Sequence, residues 1–254
     1  MLSFKFTPSK FKVISYDLTL EQCHFTFAAH HIPVQNYKQS FQSYNNRKNK
    51  SSSYHMFFPL YIITTVTGKR TGHFYTDLSK VGTDPNAREK VVYIGKTIKK
   101  GLNGARFVNG HLATQKLTSP EYDKFFKRIY LAHVELTFTH YPELKNNTKI
   151  PLEGIKERKL VEEIVDFLER YLIFDFKPNL NTIGRFAPKV NFKWDGIIKP
   201  THIKIKNNSQ KHYAGNSSPL FNQEYLINHQ KISAQINKQL KVLANKKNKN
   251  LKKK

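Results

Sequence analysis

Residues 91–97 read Val-Val-Tyr-Ile-Gly-Lys-Thr, an apolar run that closes with a glycine and a lysine. Such a run predicts a buried strand, and the glycine near its end allows the backbone to approach a ligand closely. Residues 168–181 read Leu-Glu-Arg-Tyr-Leu-Ile-Phe-Asp-Phe-Lys-Pro-Asn-Leu-Asn. They predict a helix that carries an acid, followed by a turn that contains proline and ends in asparagine. We expect the strand end, the helix and the turn to close one site.

Two further strands and two helices are predicted around residues 91–96. Residues 57–66 are rich in β-branched and aromatic side chains, which favour strands. Between residues 130 and 138 apolar and polar side chains alternate, which is typical of a strand with one wet face. Residues 157–173 place apolar side chains at helical spacing, and residues 102–116 predict a short helix loosened by glycine. The predicted fold class is therefore α+β, with a small three-stranded antiparallel sheet flanked by helices.

Three segments are predicted along the chain. The strands and the clearest helix fall within residues 57–185, which form the predicted core. Residues 1–56 are predicted to be an N-terminal extension that ends in a polar, basic linker. Residues 186–254 are predicted to be a basic C-terminal extension with one helix, at about residues 223–244, and a lysine-rich tail. Both extensions are expected to be mostly helical or irregular.

The charge of the chain predicts a polyanionic partner. Its 254 residues include 43 Lys and Arg against 18 Asp and Glu, which gives a formal net charge of +25. Because neutralised phosphates release their counterions, a surplus of this size favours association with nucleic acid. The alternative is compositional drift toward Lys and Asn, in which case the charge needs no partner.

Cysteine usage and hydropathy predict a cytoplasmic protein. The single cysteine, Cys23, excludes an internal disulfide and a zinc site built from four Cys or from two Cys and two His. No segment approaches the ~20 apolar residues of a membrane-spanning helix, and the first residues lack the apolar run of a signal peptide. We therefore expect neither membrane association nor secretion.

The strand end and the helix together resemble the GIY-YIG nuclease superfamily. The second half of that family's motif is matched by residues 93–95, Tyr-Ile-Gly. The metal-binding glutamate of the family and the residues that follow it are matched by Glu169, Leu172, Ile173, Pro178 and Asn181. The resemblance covers about residues 57–185.

The resemblance implies a metal-dependent reaction on a phosphodiester. Glu169 would bind one hard divalent cation, Mg²⁺ or another such as Mn²⁺, which keeps several waters of its own. Tyr61 would accept the proton of the attacking water, and Tyr93 would orient the phosphate or that water. Gly95 would let DNA approach the backbone, and Asn181 would brace the site from the turn. No small-molecule cofactor is implied.

Positive side chains complete the implied site. Arg106 would bind the scissile phosphate and offset charge in the transition state. His111 follows it where the family usually has His or Tyr. Lys96 would add positive charge next to the motif, and Lys99 and Lys100 are expected to contact nucleic acid as well.

The first half of the family's motif has two candidate matches. It normally reads Gly-Ile-Tyr, whereas residues 59–61 read Pro-Leu-Tyr. Tyr61 lies in a predicted strand but well before Tyr93, so a loop must be inserted between the first two strands. The alternative is Tyr75, in the Gly-His-Phe-Tyr of residues 72–75, which keeps a glycine but not its spacing. We assign Tyr61 and keep Tyr75 as the alternative.

The resemblance is greatest to the type II restriction endonucleases of the superfamily, because the core is central and flanked by extensions. Such an enzyme cuts both strands of a short site in double-stranded DNA. With one active site per chain, it is expected to act as a homodimer. Two alternatives remain: a homing or repair nuclease of the same superfamily, and a non-catalytic basic protein that binds nucleic acid through a degenerate nuclease core.

Overall fold

Seven strands and one long helix are present in the part of the chain that the structure describes. In this computed structural model, that part is residues 11–26, 58–67, 89–96, 115–117, 119–122, 125–140, 147–182, 200–207, 219–220 and 222–228, with single positions 230, 234, 238 and 241. The strands are β1 (Phe11–Thr26), β2 (Leu60–Thr67), β3 (Glu89–Lys96), β4 (Phe125–His140), β5 (Asn147–Pro151), β6 (His202–Asn207) and β7 (Gln223–Leu226), and the helix is α1 (Arg158–Phe176).

The strands form one mixed sheet. Their order is β3-β2-β4-β1-β6-β7, and β5 pairs with β4 off this path. β1 pairs antiparallel with β4 and parallel with β6, whereas the remaining pairs are antiparallel. The sheet curls into a half-barrel. The strand that contains residues 91–96, β3, is the last strand at one end of this order.

Side-chain alternation explains why β1 and β6 are strands. In β1, Tyr16, Leu18 and Leu20 are buried, with polar residues between them. In β6, Ile203 and Ile205 are buried, and the residue after each is an exposed lysine. Because successive side chains of a strand point to opposite faces, this pattern places the apolar residues of both strands on the face that packs against α1.

The predicted fold class is wrong. Strands predicted at residues 57–66, 91–96 and 130–138 are present as β2, β3 and β4, but they belong to a seven-stranded mixed sheet. The described parts of both extensions add strands to this sheet, because β1 pairs with β4 and with β6, and β6 pairs with β7. One sheet thus contains strands from all three predicted segments.

The predicted C-terminal helix begins later than expected. Residues 223–226 form β7, which pairs with β6. Positions 230, 234, 238 and 241 are helical and exposed, and the remaining positions of the predicted helix beyond 228 lie outside the described residues. The predicted helix at residues 102–116 is also outside them except at its last two positions, which are helical.

Apolar side chains cover both faces of the sheet next to β3. Leu60 and Ile62 of β2 pack in the large cluster that contains α1. Tyr61 lies between those two residues and Ile63 follows them. Both pack in a smaller cluster on the other face of the sheet. Neighbouring residues of β2 and β3 therefore contribute to two different environments.

A buried ion pair connects β3, β2 and β4. Nη1 of Arg128 lies 3.4 Å from Oε2 of Glu89, and the two side chains are 2% and 1% exposed. Thr64 and Tyr130 donate hydrogen bonds to Oε1 of Glu89, at 2.6 Å and 2.8 Å. Burial and the negative charge of Glu89 raise the pKa of Tyr130, so its hydroxyl remains a donor.

The end of α1 directs the chain to the edge of β3. Lys177 takes a left-handed conformation (φ 48°, ψ 51°) and donates its backbone N–H to the carbonyl of Ile173; this arrangement and the proline after it close the helix. The turn then brings Leu180 to β3, where its N–H donates to the carbonyl of Val92 at 2.9 Å. No helix in the described part of the chain has both the length and the apolar character needed to cross a membrane.

Candidate active site

β2 and β3 bring Tyr61 against Gly95. The register pairs these two residues, and it pairs Leu60 with Lys96. A Cβ atom added at Gly95 would lie 2.3 Å from Cζ and from the hydroxyl oxygen of Tyr61. The end of the Tyr61 ring therefore rests on the bare backbone of the glycine, and a residue with a side chain would not leave this space.

Tyr61 and Tyr93 form a pair of rings next to this glycine. Their ring centroids are 5.8 Å apart and their planes meet at 30°. Both pack in the smaller apolar cluster. Tyr61 is 1% exposed whereas Tyr93 is only half-buried, so Tyr93 is the more accessible of the two.

Lys96, the last residue of β3, contacts acids of α1. Its ammonium group forms an ion pair with Asp166 and lies 3.3 Å from Oε2 of Glu169. Residues three apart on a helix are neighbours on its surface, so both carboxylates face the same cation. Arg170 adds a second positive charge, with Nη2 3.7 Å from Oδ2 of Asp166.

Asn181 holds the edge of β3 through its side-chain amide. Its Oδ1 accepts a hydrogen bond from the N–H of Ile94 at 2.9 Å, and its Nδ2 donates to the carbonyl of the same residue at 2.8 Å. The amide thus satisfies both backbone groups that an edge strand would otherwise expose. Ile94 lies between Tyr93 and Lys96 along β3, so this contact fixes the strand where the site is.

The acids of α1 fit a divalent cation of the Mg²⁺ type. The two carboxylates already converge on one positive group, the ammonium of Lys96. Carboxylate oxygens are the ligands that Mg²⁺ prefers, and this ion is often bound by one or two carboxylates plus water and substrate phosphate. Asp166 and Glu169 are the candidate ligands because they share this contact. No group of three or more His, Cys, Asp and Glu gathers in the described part of the chain.

The structure describes six of the predicted site residues and arranges them in two groups along β3. Tyr61, Tyr93 and Gly95 form one group on the face of the smaller cluster. Lys96 and Glu169 form the other group. Asn181 hydrogen-bonds to the backbone of Ile94 in the same strand.

The remaining site residues lie outside the described residues. They are Arg106, His111, Lys99, Lys100 and the alternative tyrosine, Tyr75. Their roles stay predictions from the sequence.

Asp166 and Arg170 were not among the predicted site residues. The sequence does contain a signal for Asp166, because an acid three positions before Glu169 on a helix lies on the same surface. Its ion pair with Lys96 depends on the position of α1 beside β3, which is a tertiary contact that no local pattern specifies.

We expect Gly95→Ala to lower the free energy of unfolding by about 1–3 kcal/mol, because the new methyl group would overlap the ring of Tyr61. Urea unfolding followed by circular dichroism measures this change. Gly154→Ala is the control, since its Cβ would lie 3.3 Å from Cγ2 of Ile150 and needs only a small adjustment. Equal stability of Gly95→Ala and the unsubstituted protein would contradict the close packing of Tyr61.

No protein-family model, curated protein or solved structure matches the chain.

Proposed function

We propose that the protein is a metal-dependent endonuclease that hydrolyses phosphodiester bonds in double-stranded DNA. The proposal rests on the resemblance of the sequence to the GIY-YIG nucleases and on the residues that meet at the end of β3. Glu169 is the proposed ligand of Mg²⁺ or Mn²⁺. In its more specific form, the proposed function is that of a sequence-specific type II restriction enzyme that acts as a homodimer in the cytoplasm.

One observation carries the proposal. Lys96, Glu169 and Asn181 come from a strand, a helix and a turn that are far apart in the sequence, yet all three contact the last residues of β3 or one another. A helical glutamate is ordinarily a solvated surface residue, and its side chain here is only 16% exposed. Convergence of charged side chains at a strand end supports a site that binds a charged ligand.

The chemistry assigns a role to each group. A bound divalent cation would polarise the phosphate and lower the pKa of a water molecule. Lys96 would neutralise non-bridging oxygens of the phosphate. The resemblance, rather than the geometry, assigns Tyr61 the proton of the attacking water and has Tyr93 orient that water or the phosphate by a hydrogen bond. Asn181 would keep the strand end rigid.

Charge along the chain supports DNA as the substrate. Most of the 18 acids, but only a minority of the 43 Lys and Arg, lie among the described residues. The positive surplus is therefore concentrated in the other segments of the sequence. Two of them adjoin the site along the chain: residues 97–106 follow β3 and residues 183–193 follow the turn after α1, and each carries three Lys or Arg.

A second candidate function is a non-catalytic protein that binds nucleic acid. The burial of Tyr61 favours it, because a tyrosine that is 1% exposed and packed on a glycine fits a structural role. In that case the charge would still attract DNA, but no bond would be cut.

Incubation with supercoiled plasmid at moderate salt distinguishes the two functions. The nuclease is expected to produce nicked and linear DNA in Mg²⁺ or Mn²⁺ and to lose this activity in a chelator. Plasmid that is retarded in a gel but remains supercoiled with every divalent metal would favour the non-catalytic protein.

We expect Tyr61→Phe to slow cleavage by about 10²-fold or more, because it removes the proposed proton acceptor while keeping the ring. Tyr75→Phe is the matched variant and is expected to cleave at nearly the original rate. Initial rates of plasmid cleavage in Mg²⁺ measure both. The opposite result would assign the first half of the motif to Tyr75.

A further inference from the structure

The ammonium group of Lys96 occupies a cation position between two carboxylates. It pairs with Asp166 and lies 3.3 Å from Oε2 of Glu169. The side chains of Lys96 and Glu169 are 20% and 16% exposed, so solvent screens their interaction only in part. Lys96 thus supplies positive charge to both carboxylates.

A divalent cation at Glu169 would compete with this ammonium group. Two positive charges that share the same carboxylate oxygens repel each other at short range. Lys96 carries a compact charge on a flexible stem, which lets the group move while the backbone of β3 stays fixed by Asn181. Asp166 keeps a positive partner if Lys96 leaves, because Arg170 lies 3.7 Å away on the same helix.

We propose that Lys96 is an exchangeable counter-cation of the metal site. Binding of the divalent cation displaces its ammonium group from Asp166 and Glu169 and makes it available to a DNA phosphate. The inference depends on the proposed function, because it takes Glu169 as the metal ligand. It adds a coupling: metal binding and phosphate binding by Lys96 promote each other.

Binding of Mn²⁺ in the absence of DNA tests the exchange. Electron paramagnetic resonance measures free Mn²⁺ during a titration of the full chain. Lys96→Met is expected to bind Mn²⁺ on the order of tenfold more tightly than the unsubstituted protein, because the competing charge is gone. Lys90→Met is the matched control and is expected to leave the affinity unchanged, since this exposed lysine lies at the other end of β3. Equal or weaker binding by Lys96→Met would overturn the exchange.

Glu169→Gln separates this failure from failure of the proposed function. If Glu169→Gln weakens Mn²⁺ binding but Lys96→Met has no effect, the metal site stands and the exchange is refuted. If Glu169→Gln binds Mn²⁺ as the unsubstituted protein does, the assignment of the metal site is wrong, and the exchange fails with it.

The salt dependence of DNA binding gives an independent measure that also applies to Lys96→Gln, should Lys96→Met fail to fold. With Ca²⁺ as the metal and a short duplex as the probe, one additional phosphate contact makes the negative slope of log K against log salt steeper by about 0.9. With Ca²⁺, the salt slope of the unsubstituted protein is expected to be steeper than that of the Lys96 variant by this amount. Without metal, the two slopes are expected to be equal. Equal slopes under both conditions would overturn the release of Lys96 to the phosphate.

Discussion

Glu169→Gln is expected to reduce the rate of DNA cleavage by at least ~10²-fold, because it removes the charge that binds the metal while it preserves the shape of the side chain. DNA binding should persist, since the positive residues of the chain are unchanged. The fold should also persist, because Lys96 keeps its ion pair with Asp166. Initial cleavage rates in Mg²⁺ and gel retardation in Ca²⁺ measure the two effects.

Glu163→Gln is the control for this variant. Glu163 is an exposed acid on the same helix, so its substitution removes an equal charge from α1 at a position six residues before Glu169. It should cleave at nearly the original rate. Turnover by Glu169→Gln that equals that of Glu163→Gln would refute the role of Glu169.

Arg128→Met is expected to lower the free energy of unfolding by about 3–5 kcal/mol, because it leaves the carboxylate of Glu89 buried without its cation. That carboxylate is 1% exposed, so water cannot replace the lost charge. Urea denaturation followed by circular dichroism measures the loss. The double variant Arg128→Met/Glu89→Gln should recover part of it, since a neutral amide costs less to bury than a charge.

An exposed pair serves as the comparison for Arg128. Arg158 lies 3.1 Å from Glu162 on α1, and its side chain is 77% exposed. Arg158→Met should therefore cost no more than about 0.5 kcal/mol. If Arg128→Met costs as little as Arg158→Met, the ion pair with Glu89 does not stabilise the fold.

Local periodicity predicted part of the fold. Residues 91–96 and 157–173 were predicted as a strand and a helix because their patterns are long and regular, and they are β3 and part of α1. β1 was missed because its alternation is interrupted between Val13 and Ser15, where the register with β4 shifts. β6 was missed because its lysines were interpreted only as part of the basic composition of the C-terminal extension, whereas they alternate with Ile203 and Ile205.

The contacts of the candidate site were less accessible to sequence reasoning. Glu169 and Asn181 were found through the resemblance, and the sequence supplied no distance between them and β3. The ion pairs of Lys96 depend on where α1 lies against the sheet, and the contact of Gly95 with Tyr61 depends on the β2–β3 register. Both are long-range pairings, which local patterns do not specify.

The central claim, metal-dependent cleavage of DNA at Glu169, is tested most directly by mapping the ends that the protein leaves on genomic DNA. The unsubstituted chain should produce double-strand ends in Mg²⁺ that share a short recurring sequence. Glu169→Gln, and the unsubstituted chain with a chelator, should produce no such ends. Identical end maps from the unsubstituted chain and Glu169→Gln, or intact DNA from both, would contradict the account.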